Sequence, residues 1–239
     1  MSLHIQVVPM LSDNYGWLLH DMVQNVRAVV DPGEAAPVER ALGNEKLDLI
    51  LLTHHHADHT GGVDALRHRY GARVAGSASE RRRLPTLDIA LAPGDPIMVG
   101  AERGETIATP GHADGHVAFY FPSVPALFSG DALFSLGCGR LLEGSAVQLF
   151  ESLHRFDILP DDTLVFCGHE YTQANADFAR HVDPDNTALR ARAAEVASLR
   201  QQGLPTIPST LGQERAANPF LRAPDVATFA KLRKEKDNF

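Results

Sequence analysis

Cysteine is scarce in this sequence: Cys138 and Cys167 are the only two in 239 residues. Two cysteines form no disulfide framework, which excludes a disulfide-dependent secreted scaffold. No apolar run approaches the roughly 18 residues that a membrane-spanning helix requires. The opening stretch, MSLHIQVVPMLSDNYGW, lacks a basic region followed by an apolar core, which predicts no secretory leader. Positive charge is in short supply as well. Lys and Arg number 22 against 30 Asp and Glu, a net charge of -8. That balance argues against general nucleic-acid binding, which needs a basic footprint. No internal repeat or low-complexity segment stands out. The expectation is a soluble, cytoplasmic protein with neither membrane nor nucleic acid as partner. An anionic ligand would have to be met by a local group of cations.

What is present is an ordinary globular composition, 44% hydrophobic and 22% charged. The length suits one large domain, or one domain with a small addition, and is enough to bury a real core. Short strands are predicted over 3–8, 17–19 and 26–30, separated by the turn residues Ser12-Asp13-Asn14 and Asp31-Pro32-Gly33. A helix over 35–43 follows, then an apolar strand over 47–52, a helix over 60–70 and a strand over 72–75. Strands return over 96–99, 105–108, 117–121 and 126–129. A helix over 146–156 and a strand over 163–166 come next. Helices over 173–181, 187–202 and 225–235 complete the chain, with prolines at 205, 208, 219 and 224 between the last two. The pattern predicts a mixed α/β domain over 1–172 and a small helical one, without strands, over 173–239.

Histidine is the unusual residue. There are twelve, several clustered with aspartates. The densest run is Thr53-His54-His55-His56-Ala57-Asp58-His59, directly after the apolar strand at 47–52. In an extended or turning loop, residues two apart project the same way. His54 and His56 can then share one ion, with Asp58 and His59 reaching a second. Imidazole suits zinc, iron and similar cations, and carboxylate adds a harder ligand. Two ions need further ligands and a bridging carboxylate. Later strand ends supply candidates, each beside a glycine that permits close backbone approach: His112, Asp131 and His169.

These motifs resemble the signature of the metallo-β-lactamase fold superfamily: THHHADH at 53–59, TPGH at 109–112, GDALF at 130–134 and GHEY at 168–171. The resemblance implies a four-layer αββα sandwich with metals at one edge of the sheets; the small C-terminal helical domain is an addition that many members of the superfamily lack. It implies His54, His56 and His112 on one ion, Asp58, His59 and His169 on the other, and Asp131 bridging. His55 and His116 have no ligand role in that scheme. His55 is expected to point into the structure and His116 to support or pack.

Longer stretches resemble the glyoxalase II enzymes (hydroxyacylglutathione hydrolases). They are GDALFSLGCGRLLEG at 130–144, CGHEYTQANADFARHVDP at 167–184, PSTLGQE and NPFLR within 208–222, and LRKEKDNF at the end. This resemblance implies hydrolysis of S-D-lactoylglutathione to glutathione and D-lactate. It places glutathione contacts at Arg140, Tyr171, Arg233 and Lys236. Arg and Lys suit the carboxylates of glutathione. Where many relatives carry an aromatic pair, this chain has Leu141-Leu142, so a tyrosine contact there is lost. Arg140 stands where many relatives carry lysine.

The expected chemistry is attack of a metal-activated water on the thioester carbonyl, with two divalent metal ions per chain. Zinc is expected, and iron or manganese fit the same donors. Asp58 and Asp131 are the expected catalytic carboxylates. No Ser or Cys nucleophile is invoked, and Cys138 and Cys167 are read as packing residues. A monomer is expected. Three alternatives stay open: a single-iron persulfide dioxygenase or lactonase of the same fold, a nucleic-acid-processing hydrolase, and a non-catalytic metal-binding module.

Overall fold

The computed structural model describes residues 3–239. Two mixed sheets pack face to face with helices outside both, which is the expected four-layer αββα sandwich. The first sheet runs β1 (Leu3–Met10), β2 (Asn14–Asp21), β3 (Val26–Val30), β4 (Leu49–Leu52), β5 (Arg73–Ser77) and β6 (Ile89–Leu91) in spatial order. Its first three strands are antiparallel and the rest parallel. Helices α1 (Ala35–Leu42), α2 (Ala57–Thr60) and α3 (Val63–Tyr70) lie in its crossovers.

The second sheet contains β7 (Pro96–Val99), β8 (Glu102–Ala108), β9 (Val117–Phe121) and β10 (Ala126–Gly130). A small hairpin, β11 (Leu133–Phe134) with β12 (Gly137–Cys138), and helix α4 (Ala146–His154) precede β13 (Leu164–Cys167). Helices α5 (Thr172–Val182) and α6 (Thr187–Gln201) follow. Then come β14 (Ser209–Thr210), α7 (Leu211–Ala217) and α8 (Val226–Asp237). The spatial order is β14-β13-β10-β9-β8-β7, with β10 and β13 parallel.

The uninterrupted apolar runs are explained by burial on both faces. In β4, Leu49 and Leu51 face the space between the sheets, while Ile50 and Leu52 meet the layer containing Val38, Leu42 and Leu66. In β9, Val117, Phe119 and Phe121 point between the sheets and Ala118 and Tyr120 point outward. The inter-sheet core is aromatic: Phe128 stacks on Phe166 at 5.1 Å, and Trp17 meets Phe166 edge-on at 4.9 Å.

The C-terminal segment departs from expectation in two ways. It holds a strand, β14, paired with β13. It also holds helix α7, inside the stretch read as broken by prolines. Its start carries a capping box, Thr210 with Gln213, which is the sequence signal that reveals it. Residues 173–239 do not stand apart from the sandwich. Phe178, Leu211, Phe220 and Phe229 share one core cluster with Leu127, Leu149 and Val165. Among the described residues no helix is long and apolar enough to cross a membrane.

Candidate metal centre

The expected ligand residues come from strand ends that meet at one edge of the two sheets. His54 follows β4, His112 follows β8, Asp131 follows β10 and His169 follows β13. Backbone bonds tie the sheets together there. Tyr15 N–H donates to Gly168 O (2.8 Å), Glu170 N–H to Asp13 O (2.8 Å) and Val117 N–H to Thr53 O (2.9 Å). Trp17 Nε1 donates to Cys167 O at 3.0 Å. The β1–β2 turn is thereby hooked onto the end of β13.

The 54–59 run is only half a loop. His54-His55-His56 lies outside regular structure, with His56 at φ -59° and ψ 144°, and α2 begins at Ala57. The first half sends His54 and His56 the same way, with His54 Nε2 3.1 Å from His56 Nδ1. His112 Nε2 completes this group, 3.0 Å from His56 Nδ1. The helical turn redirects Asp58 and His59 to a second group with His169. There, His59 Nε2 is 3.3 Å from His169 Nε2, and Asp58 Oδ2 is 3.5 and 3.4 Å from those two nitrogens. Asp131 touches both groups. Its Oδ1 lies 3.4 Å from His59 Nε2, and its Oδ2 lies 3.3 Å from His169 Nε2 and 3.5 Å from His112 Nε2.

This donor set fits metal ions. A tetrahedron with bonds of about 2.0–2.1 Å has edges of about 3.3–3.4 Å, close to the separations within each group. Three ring nitrogens converging as His54, His56 and His112 do cannot satisfy one another by hydrogen bonds alone. Asp131 Oδ1 is buried and has no hydrogen-bond partner, a costly state unless a cation neutralises it. The His and Asp clusters thus fit a pair of ions.

The outer nitrogen of four of the five histidines is hydrogen-bonded, which fixes ring orientation. His54 Nδ1 meets Thr53 Oγ1 (3.0 Å), His59 Nδ1 meets Asp31 Oδ2 (3.1 Å) and His169 Nδ1 meets Asp13 Oδ1 (2.8 Å). His112 Nδ1 donates to Arg140 O at 2.9 Å, and His56 Nε2 faces Glu143 Oε1 at 4.0 Å. Asp31 also accepts from Thr53 N–H (2.8 Å) and Thr53 Oγ1 (2.6 Å), and Asn14 Nδ2 donates to Asp58 Oδ2 (3.0 Å).

Asp13, Asn14, Asp31, Thr53 and Glu143 were not among the predicted site residues. Asp13, Asn14 and Asp31 read as turn residues. The available signal was position: Asp31 follows β3 as His54 follows the neighbouring parallel β4.

The two groups differ electrically. Burial holds His54 well below the ordinary histidine pKa, and the same cause lowers His56. Neutral imidazole is the ligand form. Burial also pushes His59 and His169 down, but the surrounding carboxylates outweigh it. Asp131, Asp31 and Asp58 hold His59 well above its ordinary value, and Asp131 and Asp58 lift His169 to about 10. Burial opposes ionisation of Asp131, yet His59 and His169 keep its carboxyl well below the usual range. Hydrogen bonds from His169 and His59 do the same for Asp58.

Two glycines let this edge close. Gly130 adopts φ 50°, and a Cβ there would lie 2.5 Å from Thr53 Oγ1. A Cβ on Gly168 would lie 2.5 Å from Asp131 Oδ1. His116 supports the bridge: it is buried, accepts from Asp131 N–H at 3.1 Å and meets Thr109 Oγ1 at 2.7 Å. Burial depresses it to about 3, so it stays neutral. His55 turns away from both groups, with Nδ1 2.5 Å from Glu80 Oε2.

The centre opens into a cleft of about 700 Å³ whose lining includes His56, Asp58, His112, Asp131 and His169. The predicted substrate residues Arg140, Tyr171, Arg233 and Lys236 line it too. Arg140 is exposed and lies 4.0 Å from Asp237. Tyr171 stacks on His169 at 4.5 Å and 7°. Lys236 donates to Ala174 O at 2.7 Å and lies over the Phe178 and Phe239 rings. Arg233 is more committed than expected. It is only 4% exposed, donates to Cys138 O (2.8 Å) and holds Asp237 through Nε (3.1 Å) and a terminal nitrogen (2.8 Å). Its guanidinium already has a carboxylate.

The comparisons with known proteins agree with this geometry. Residues 23–169 match the metallo-beta-lactamase superfamily model, and residues 170–239 match the model described as hydroxyacylglutathione hydrolase C-terminus. The chain is 53% identical to the hydroxyacylglutathione hydrolase of Acidiphilium cryptum (strain JF-5), covering 97% of this chain and 95% of that one. ETHE1 from Myxococcus xanthus superposes with a TM-score of 0.74 at 26% identity, over 97% of this chain and 90% of its own. TTHA1623 in a di-iron-bound form gives 0.63 at 26% identity, over 91% of this chain and 100% of its own. By sequence, fold and C-terminal segment together, the chain belongs to the hydroxyacylglutathione hydrolase family of the metallo-beta-lactamase superfamily.

Proposed function

We propose that this protein hydrolyses glutathione thioesters, converting S-D-lactoylglutathione to glutathione and D-lactate in detoxification of methylglyoxal. The observation that carries the reading is Asp131. It touches both histidine groups at the floor of a cleft whose wall bears Arg140, Lys236 and Tyr171. His54, His56 and His112 would hold one divalent cation, Asp58, His59 and His169 another, and Asp131 both. Zinc suits the mixed imidazole and carboxylate donors, and iron or manganese are accommodated too. When bound, the pair supplies a water nucleophile near neutral pH and polarises a carbonyl oxygen.

The chain's own groups do the rest. Asp58, held by Asn14, orients the nucleophile. Burial pushes the Tyr171 hydroxyl up to about 12, so it faces the cleft as a donor. Burial likewise raises Cys138 to about 11 and Cys167 to about 12. Neither is a thiolate at neutral pH, which argues against a cysteine nucleophile. The leaving thiolate, with a parent pKa of about 8.5, needs no strong acid. Arg140 and Lys236 meet the glutathione carboxylates. Arg233 contributes by exchanging Asp237 for a substrate group, or by holding α8 in place.

The division at 172/173 is then functional. The first part carries the metal ligands, and the second supplies much of the cleft wall. The reading includes a monomer in a reducing cytoplasm, where Cys138 and Cys167 remain free. Steady-state hydrolysis of S-D-lactoylglutathione against non-glutathione thioesters, with metal content measured on the same sample, tests the reading. Equal rates on both thioester classes would defeat the glutathione assignment. Oxygen uptake with one iron per chain would favour a dioxygenase. Light scattering checks the monomer.

A further inference from the structure

The segment 140–144 hydrogen-bonds one member of a histidine group and sets a carboxylate near a second. Arg140 O accepts from His112 Nδ1 at 2.9 Å. Glu143 Oε1 stands 4.0 Å from His56 Nε2. The same segment presents Arg140 and Leu142 to the cleft. Glu143 is held from several sides. Arg83 grips both of its oxygens, one of them at 2.8 Å. Asp114 N–H donates to it at 3.0 Å, and His55 Nε2 lies 3.2 Å away. His55 in turn contacts buried Glu80, which accepts from Gly115 N–H at 2.8 Å.

His55, His56 and Glu143 also have the spacing of a third cation group. Arg83 already fills that role, since its guanidinium contacts both His55 and Glu143. The charge is compensated within the chain, so this is a brace and not a further metal site.

We propose that Glu143 is a positioning residue that couples the 140–144 wall of the cleft to His56, with Arg83 and His55 holding it in place. The inference rests on the reading that His54, His56 and His112 hold a cation. It explains the otherwise unused His55 of the histidine run. It also gives His56, whose outer nitrogen makes no hydrogen bond among the described residues, a carboxylate 4.0 Å away that is itself clamped by an ion pair. Glu143 acts through the His56 ring and the loop. It orients one ligand and steadies the surface against which a substrate rests.

The test titrates chelator-stripped protein with Zn²⁺ in competition with a chromophoric chelator, alongside steady-state kinetics on the thioester. Wild-type protein should take up two ions. Glu143→Gln should weaken one of the two affinities by about 10–100-fold, the usual cost of losing an outer partner, and leave the other unchanged. KM should rise as the loop loosens. Arg83→Met should move both readouts in the same direction by less. The double variant should be no worse than Glu143→Gln alone, because the two residues act as one unit. Unchanged affinities and KM in Glu143→Gln would overturn the proposal. So would an equal fall in both affinities with a lowered Tm, which marks a general support of the fold. Wild-type protein that takes up no Zn²⁺ would instead remove the metal-centre reading beneath it.

Discussion

The floor of the cleft and its outer wall are built differently. On the floor, His54, His59, His112, Asp131 and His169 are all buried, and every ring has a protein partner at its second nitrogen. On the wall, Arg140 and Leu142 are exposed, Tyr171 is 39% exposed and Lys236 is half-buried. The floor is carried by strand ends, which the sheets hold rigidly, and by the short helix α2, which bears His59. The wall comes from the 140–144 loop and from α5 and α8. Rigid, desolvated groups hold ions in a fixed geometry, and exposed charged groups adapt to a flexible ligand. Changes to the floor should therefore act on metal content and kcat, and changes to the wall on KM.

The largest effect is expected at Asp131, whose carboxylate oxygens reach ring nitrogens of both groups. Asp131→Ala should cost several kcal/mol of transition-state stabilisation, about 1,000-fold in kcat, and lower metal content. Full activity with two ions would break the floor's dependence on a bridging carboxylate.

Next come the partners behind the floor. Asp13→Ala and Asp31→Ala should each cost about 10–100-fold in metal affinity or kcat. Asp31→Ala should be the worse, since Asp31 also holds Thr53 through two hydrogen bonds. Metal titration with activity decides; equal, negligible losses would mean the rings need no brace.

A third test uses pH on chelator-stripped protein. His169, lifted to about 10, stabilises the fold fully below about 6.5, its unfolded value, and loses that contribution as pH rises toward 10. The depressed Asp131 works in the opposite sense. Its contribution is present above about 3.9 and lost as pH falls through its lower folded value. Thermal unfolding should thus show lower stability at pH 9–10 than at pH 5–6. Added Zn²⁺ should reverse the trend, because ligation displaces the His169 proton. A flat Tm across that range would show that the carboxylates do not hold His169 charged.

The smallest effects belong to the wall. Arg140→Ala or Lys236→Ala should raise KM by up to about tenfold, the worth of one charge-assisted hydrogen bond, with kcat nearly unchanged. A fall in kcat at constant KM would erase the distinction between floor and wall.

Much of the floor was legible because its residues are chemically unusual and follow apolar runs. His54, His56, His112, Asp131 and His169 stand at or just beyond strand ends, where a reader expects function. Asp13 and Asp31 were not legible as site residues. An aspartate in a turn has a sufficient local reason to be there, and only the meeting of the two sheets gives it a histidine to hold. The α7 helix was missed for a similar cause: Gly212 and the flanking prolines hide a seven-residue helix that tertiary packing stabilises. Arg233 shows the converse. A basic residue near the chain's end suggests an exposed contact, yet packing buries it against Phe220 at 5.2 Å and pairs it with Asp237.

The sequence by itself determined the residue types of the centre, the mixed α/β order of the elements and the chemistry those residues can perform, while the four-layer sandwich followed only from the resemblance of its motifs. These depend on local matters: alternation of apolar residues, turn residues after strands, and the affinity of imidazole and carboxylate for cations. Only the tertiary structure decided that a helical turn redirects the second half of the 54–59 run, which acids brace which rings, and whether a cation on the wall is free or already paired. Each depends on groups far apart in the chain, such as Asp13 and His169, brought within hydrogen-bonding distance when the ends of two sheets close on one another.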